Sequence, residues 1–235
     1  MAISYAGKSG ANFTVDSGGQ PPSLSLPEGL LVGDLMVALY YSDGVADEAV
    51  DIAALGWTAI ANQRSSGGLI ALWWKLYQIG DAPPDFIISG ADADSSYRSA
   101  QLAAWRGVRR TSPIQGVGAI GTFAPAAATI GPIGGLSAAA DSLVVCAGGK
   151  LRASWGRVDT LDVSLDWHEI DEPRASSSPG FVWDYGVVGG SPVTVGSQTF
   201  VLDDTLVKAS KGVMFSVFPG TGIGPQAAMH RRREA

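Results

Sequence analysis

Apolar residues along this chain fall in runs of roughly four to eight, rich in β-branched and aromatic side chains and closed off by Gly, Pro, Asp and Ser, which is strand spacing. No stretch sustains the i, i+3, i+4, i+7 pattern of an amphipathic helix. The clearest runs predict strands over 34–41, 58–63, 69–78, 86–89, 98–106, 142–146, 182–188, 198–201 and 212–218. Pro27-Glu28-Gly29 and Val32-Gly33-Asp34 mark turns before the first of these, and Ser42-Asp43-Gly44 ends it. Ser66-Gly67-Gly68 sits between two runs as a hairpin turn would, so 58–78 is predicted to be a hairpin. From Leu69 to Tyr77 both alternating sets of positions are apolar, which predicts a strand covered on both faces. The predicted fold is an all-β, antiparallel β-sandwich with a jelly-roll-like path, one domain over 1–219 followed by an extended tail over 220–235.

Two segments depart from this pattern. Residues 116–128 are small, flexible and uncharged, and lie in a stretch from Val108 to Ala140 predicted to cross between the two sheets as extended chain, or to face a neighbouring subunit. Residues 220–225 have no core pattern and are expected to be mobile in solution.

Composition sharpens the picture of partners. The chain has 235 residues, within the range of a single large sandwich. Charged residues are only 16% of it, below the roughly 25% of an average soluble domain, so part of the surface is expected to be covered in a homo-oligomer or larger assembly. A net charge of −6 argues against nucleic acid and anionic membranes as partners. The one basic run, His230-Arg231-Arg232-Arg233, reads first as a solvated tail, with Arg231, Arg232 and Arg233 as candidate contacts to an acidic neighbouring subunit. Cys146 is single, excludes an intrachain disulfide, and sits in an apolar run where Cys acts as a small buried hydrophobe. Met1 to Lys8 show no basic n-region or apolar h-region, and no segment approaches the length of an apolar membrane span, so synthesis in the cytoplasm is expected. The sequon Asn12-Phe13-Thr14 is then fortuitous.

Candidate chemistry is sparse. Gly116-Val117-Gly118-Ala119-Ile120-Gly121 matches the spacing of a dinucleotide loop, but Pro125 and Pro132 oppose the helix such a loop must open. Asp92 and Asp94 resemble the start of a calcium loop, while Arg98, Leu102 and Ala103 occupy positions where later ligands belong, so an exposed polar turn is the better reading. His168 and His230 are the only histidines, and neither has metal-ligand spacing or a Gly-x-Ser-x-Gly nucleophile elbow to work with. Asp203-Asp204 and Asp171-Glu172 are adjacent in loop-like sequence, unlike a glycosidase pair, which converges from separate strands. No catalytic residue, metal or cofactor is expected. Among the aromatics, Trp155 and Trp167 stand between polar neighbours and are candidate glycan-stacking residues; Trp73, Trp74, Trp105, Trp183 and Tyr185 read as core.

Four pieces in order carry a resemblance: Pro27-Glu28-Gly29-Leu30-Leu31-Val32-Gly33-Asp34-Leu35-Met36-Val37-Ala38, then Gly56-Trp57-Thr58, then Leu72-Trp73-Trp74-Lys75-Leu76, then Ala104-Trp105-Arg106-Gly107-Val108. Over about the first 110 residues this resembles the all-β structural proteins of tailed bacteriophages and prophages; from about Val108 the chain matches no pattern of that group. The resemblance implies a virion protein of tail, fibre or head surface, made in the host cytoplasm, self-assembling, with other virion proteins as partners and no catalytic residues to carry over. The alternative expectation is a carbohydrate-binding module reading host glycans through Trp155 and Trp167.

Overall fold

Every position of Leu35–Ser42 is buried, because the strand's odd and even side chains enter two different cores. Around it, in a computed structural model describing residues 2–10, 12–15, 22–42, 49–52, 56–65, 68–89, 97–123, 129–151, 158–160, 165–171, 179–201 and 210–221, the chain is all-β, with no helix among the described residues.

The first half contributes β1 (Ser4–Lys8), β2 (Asn12–Val15), β3 (Leu35–Ser42), β4 (Ala49–Asp51), β5 (Thr58–Ser65), β6 (Gly68–Leu76), β7 (Ile87–Ser89) and β8 (Tyr97–Arg106). They form an antiparallel sheet in the order β1-β8-β3-β6-β5, with β2 continuing the β1 edge along β8, and a separate β4-β7 pair. The predicted hairpin is β5 with β6, and β6 lies inside the sheet as its two apolar faces require.

The second half contributes β9 (Ile114–Val117), β10 (Gly121–Phe123), β11 (Thr129–Ile133), β12 (Leu136–Ala138), β13 (Leu143–Leu151), β14 (Val158–Thr160), β15 (Trp167–Asp171), β16 (Pro179–Val187), β17 (Val193–Val195), β18 (Gln198–Val201) and β19 (Ser210–Val217). Its main sheet runs β10-β19-β13-β16-β15, with β9 continuing the β10 edge along β19; β11-β18-β14 and β12-β17 form two smaller sheets. Within the stretch from Val108 to Ala140, Ile114–Val117 and Gly121–Phe123 supply an edge of the second main sheet, and Thr129–Ile133 and Leu136–Ala138 belong to the two smaller ones.

The two halves follow one path. In each, a broken edge (β1 and β2, or β9 and β10) lies beside the last long strand (β8 or β19), which pairs with β3 or β13, which pairs with β6 or β16. Counting each broken edge as strand 1 and leaving out the β12-β17 pair, the second unit's strands number 1 to 8 in chain order and the first unit lacks strand 2 among the described residues; this is the 1-8-3-6 sheet of a jelly roll, and β11-β18-β14 and β4-β7 are the matching parts of its 2-7-4-5 sheet. The departure is shared too: the fifth strand, β5 or β15, has moved onto the free edge of the sixth. Register agrees at the level of residues. Leu35 faces Leu76 and Trp105 as Leu143 faces Val187 and Val217. Both fifth strands shift register at the same place, between Ala59 and Ala61 and between Glu169 and Asp171, two residues after Trp57 and Trp167 respectively. The broken edges close alike, Ser9 N donating to Leu102 O and Gly118 N to Met214 O, each at 2.7 Å.

The two main sheets pack face to face, β3 on β13, β8 on β16 and β6 on β19. Exchanging the units maps this set of contacts onto itself, so the halves are related by a pseudo-two-fold axis. Between them lies the shared core, with Leu35, Val37, Leu39, Leu72 and Trp105 from one sheet against Val145, Phe181, Trp183, Phe215 and Val217 from the other. Trp105 meets Trp183 edge to face at 6.2 Å, and Trp183 Nε1 donates to Gln101 Oε1 at 2.7 Å, so the largest rings and a buried polar bond both cross the axis. At the seam Lys8 Nζ donates to Ile170 O at 2.8 Å. Each sheet's outer face has its own core: Met36, Tyr40, Trp57, Trp73 and Phe86 in the first unit, Ile130, Val144, Cys146, Phe200 and Met214 in the second.

Candidate docking surface

The residues singled out for chemistry take structural places. His168 is on the second unit's edge strand with Nε2 3.6 Å from the exposed Asp166 carboxylate, and its ring leans on Tyr185 at 5.2 Å. Cys146 is buried in the outer core, on the opposite face of the same sheet, so the two share no site. Tyr185 also stacks on Tyr5 of the first unit at 5.5 Å, closing the seam between sheets, and burial raises its phenol pKa above the usual 10.0. Trp167 is half-buried and packs on the second outer core, as Trp57 packs on the first; a glycan platform needs a free indole face, and only part of this one remains. Asp171 ends β15, which corrects the expectation of a loop there. Two of the three glycines in 116–121 are explained by close packing: a β-carbon on Gly118 would stand 2.6 Å from Gly134 O, and one on Gly121 would overlap the Phe123 ring, whereas Gly116 has room for one. Among the described residues no group of His, Cys, Asp or Glu could hold a metal. Asp92, Asp94, Trp155, Glu172, Asp203, Asp204, His230, Arg231, Arg232 and Arg233 lie outside the described residues.

What does stand out is a corner of the first unit built from two tight turns. In the first, Asp34 N donates to Leu31 O at 2.9 Å and the Asp34 carboxylate accepts from Leu31 N at 2.8 Å. That carboxylate also takes Arg106 in a two-point pair, Nε to Oδ1 at 3.0 Å and Nη2 to Oδ2 at 2.7 Å, while Nη2 reaches Gly29 O at 3.0 Å. The hydrogen bond to Asp34 raises the Arg106 pKa further above neutrality. In the second turn Asp81 accepts from Gln78 N at 2.7 Å and pairs with Lys75 Nζ at 2.7 Å. Gly33 N to Tyr77 O at 2.9 Å and Tyr77 N to Asp34 O at 2.8 Å join the two. Each turn is therefore pinned by an aspartate that caps it and takes a cation from an adjacent strand, a fork-to-fork match in the arginine case.

On this frame stand large apolar side chains facing solvent: Leu31 at 55% exposure, Val32 at 44% and Ile79 at 86%. Beside them Arg110 packs over Gly33, where φ is 91° and a β-carbon would come within 3.2 Å of Nε, so the close approach and the backbone conformation both favour glycine. All four pieces of the phage-like pattern meet here, contributing the Gly29–Asp34 turn, Gly56 packed on Lys75, Lys75 itself, and Arg106. Read one at a time they are turn grammar. Their convergence was invisible in the sequence because Asp34 and Arg106 are 72 residues apart.

The second unit has the same turn without these features. Ser142 N donates to Ala139 O at 3.3 Å and Val188 N to Ser142 O at 2.8 Å, with Asp141 at φ 59° in the place of Gly33. Counting outward from the Leu35–Leu76 and Leu143–Val187 pairs, the second unit has Ala139, Ala140 and Gly190 where the first has Leu31, Val32 and Ile79, with the turn bond shifted by one residue, Asp141 N donating to Gly189 O where Gly33 N donates to Tyr77 O. The second unit closes this turn with small side chains, so closing it does not by itself require the large apolar ones of the first. Compared with family models, curated proteins and solved structures, the chain has no significant match to any of them.

Proposed function

We propose that this chain is a structural protein of a tailed-phage particle, displayed on its surface, which holds a neighbouring particle protein at the corner formed by Leu31, Val32 and Ile79. The observation that carries the reading is the contrast between the units: a rigid, twice-clamped frame bearing exposed apolar side chains in one, and Ala139, Ala140 and Gly190 in the other. Preorganised apolar groups on clamped turns suit docking, since little side-chain or loop entropy remains to be lost on contact. The phage-like pattern of the first half supports the same reading, as its pieces build the corner. The glycan alternative has only the half-buried Trp167 behind it among the described residues, and we prefer the assembly reading.

The test is a chain carrying Leu31→Asp and Ile79→Asp. Its melting temperature should stay within a few degrees of the parent, because both side chains are exposed, while its incorporation into particles should fall at least tenfold. Full incorporation of a folded variant would reject the proposal.

A further inference from the structure

The chemistry of the partner follows from what borders the corner, given the docking reading above. Arg109 and Arg110 are both exposed, on a chain with 22 acidic and 16 basic residues. Arg110 rests on Gly33 beside Val32, and Arg109 lies 5.0 Å over the Phe218 ring with its backbone N donating to Phe218 O at 3.1 Å. Among the described residues neither guanidinium has a carboxylate partner, whereas Arg106 and Lys75 nearby are each paired with an aspartate. The segment they sit on is tied down by the Val108–Pro219 bridge and by Gly220 N to Gly107 O at 2.7 Å. In the second unit the residues after the last strand are Phe218, Pro219, Gly220 and Thr221, without a cation. Leu31, Val32, Ile79 and the two unpaired arginines thus lie at the same end of the first unit, while the exposed large apolar side chains of the second, among the described residues, are Val117 and Val187.

We infer that the corner receives a polypeptide segment of another protein that presents an apolar side chain to Leu31, Val32 and Ile79 and a carboxylate to Arg110. A planar guanidinium takes a carboxylate at two points, and desolvation by the adjacent apolar contact strengthens that pair relative to one in open water. Nucleic acid fits worse, because the chain's net charge of −6 repels it and a phosphate backbone has no use for the apolar side chains.

Three labelled peptides test this on the full chain by fluorescence anisotropy: alternating Leu-Glu, alternating Leu-Lys and alternating Ser-Glu. The Leu-Glu peptide should bind at least tenfold more tightly than the other two, with added salt weakening it. Ile79→Asp should remove that binding, and Arg110→Glu should shift the preference to Leu-Lys. Equal binding of Leu-Glu and Leu-Lys, no binding of any of the three, or a preference that survives Arg110→Glu would overturn the inference. So would Arg110-dependent binding of a single-stranded oligonucleotide or of anionic vesicles, or self-association of the chain that Ile79→Asp abolishes. Particle incorporation separates the two readings. If Ile79→Asp blocks incorporation and Arg110→Glu does not, docking stands and the acidic partner falls; if neither variant affects it, docking itself falls.

Discussion

The two units solve one backbone problem with different side chains. At the turn into the third strand both place a residue of positive φ before the strand and close the same pair of backbone hydrogen bonds, yet the first does so with Leu31-Val32-Gly33-Asp34 and the second with Ala139-Ala140-Asp141-Ser142. The first adds a buried carboxylate and a two-point arginine; in the second, the Ser142 hydroxyl donates to Gln115 Oε1 at 3.0 Å. What the units share belongs to the fold, and what one has alone must be explained by other demands.

The largest effect should come from the core they share. Trp183→Ala removes a fully buried ring at the axis and leaves Gln101 Oε1 without its donor, which should cost about 3–5 kcal/mol by urea denaturation. Because this core crosses the axis, the parent should unfold in one transition; two separate transitions would show that the units are energetically independent.

Next is the clamp. Asp34→Ala should cost about 1–3 kcal/mol, held down by the partial exposure of Arg106, and Ser142→Ala about 1 kcal/mol or less. Equal costs would mean that the clamp contributes nothing beyond the common turn.

A third effect depends on pH. Lys211 is buried, donates to Thr122 Oγ1 at 3.0 Å, and has its pKa lowered from 10.5 by desolvation. Between that lowered folded value and 10.5 the unfolded chain holds a proton that the folded chain does not, so stability contributed by this site should rise with pH. Urea midpoints of the parent, followed from neutral pH up to about 10.5, should gain on those of Lys211→Met; parallel curves would reject this.

The smallest effects should be on the exposed corners. Ile79→Ser in the first unit and Gly190→Ile in the second should each change stability by less than about 0.5 kcal/mol, since nothing lies within 4 Å of a β-carbon at Gly190. A larger loss at Ile79 would make that side chain part of the fold and remove it from the docking surface.

Several strands legible in the sequence are buried along their whole length, such as Leu35–Ser42 and Ser210–Val217, whereas the largely exposed Thr58–Ser65 was legible from the Ser66-Gly67-Gly68 turn signal that follows it. All nine predicted runs fall on observed strands, and Leu143–Leu151 extends beyond its predicted end at Cys146 because Gly148 and Gly149 continue the strand in close packing against Ile130 and Tyr41. Trp167–Asp171 was missed because it is a short edge strand with three charged or polar side chains in five positions. The duplication was missed for a different reason. Register is carried by the backbone, and along the paired fifth strands the units share only Trp57-x-x-Ile60 and Trp167-x-x-Ile170, too little to stand out. The candidate surface was quoted piece by piece as turns and strand ends; only the folded chain brings those pieces into contact.

The pseudo-two-fold axis also bears on valency. Two identical units related by such an axis would carry the apolar corner twice, and every molecule would then bridge two partners, a geometry that propagates into chains or networks unless the rotation happens to close. With Ala139, Ala140 and Gly190 at the second position, the described residues carry the larger apolar corner at one end, against the single exposed Val187 at the other. Covalent fusion of the two units is what permits that inequality, since in a true homodimer every surface substitution is made at both ends at once. Under the docking proposed above, such an unequal molecule would end an array where a bivalent one would extend it.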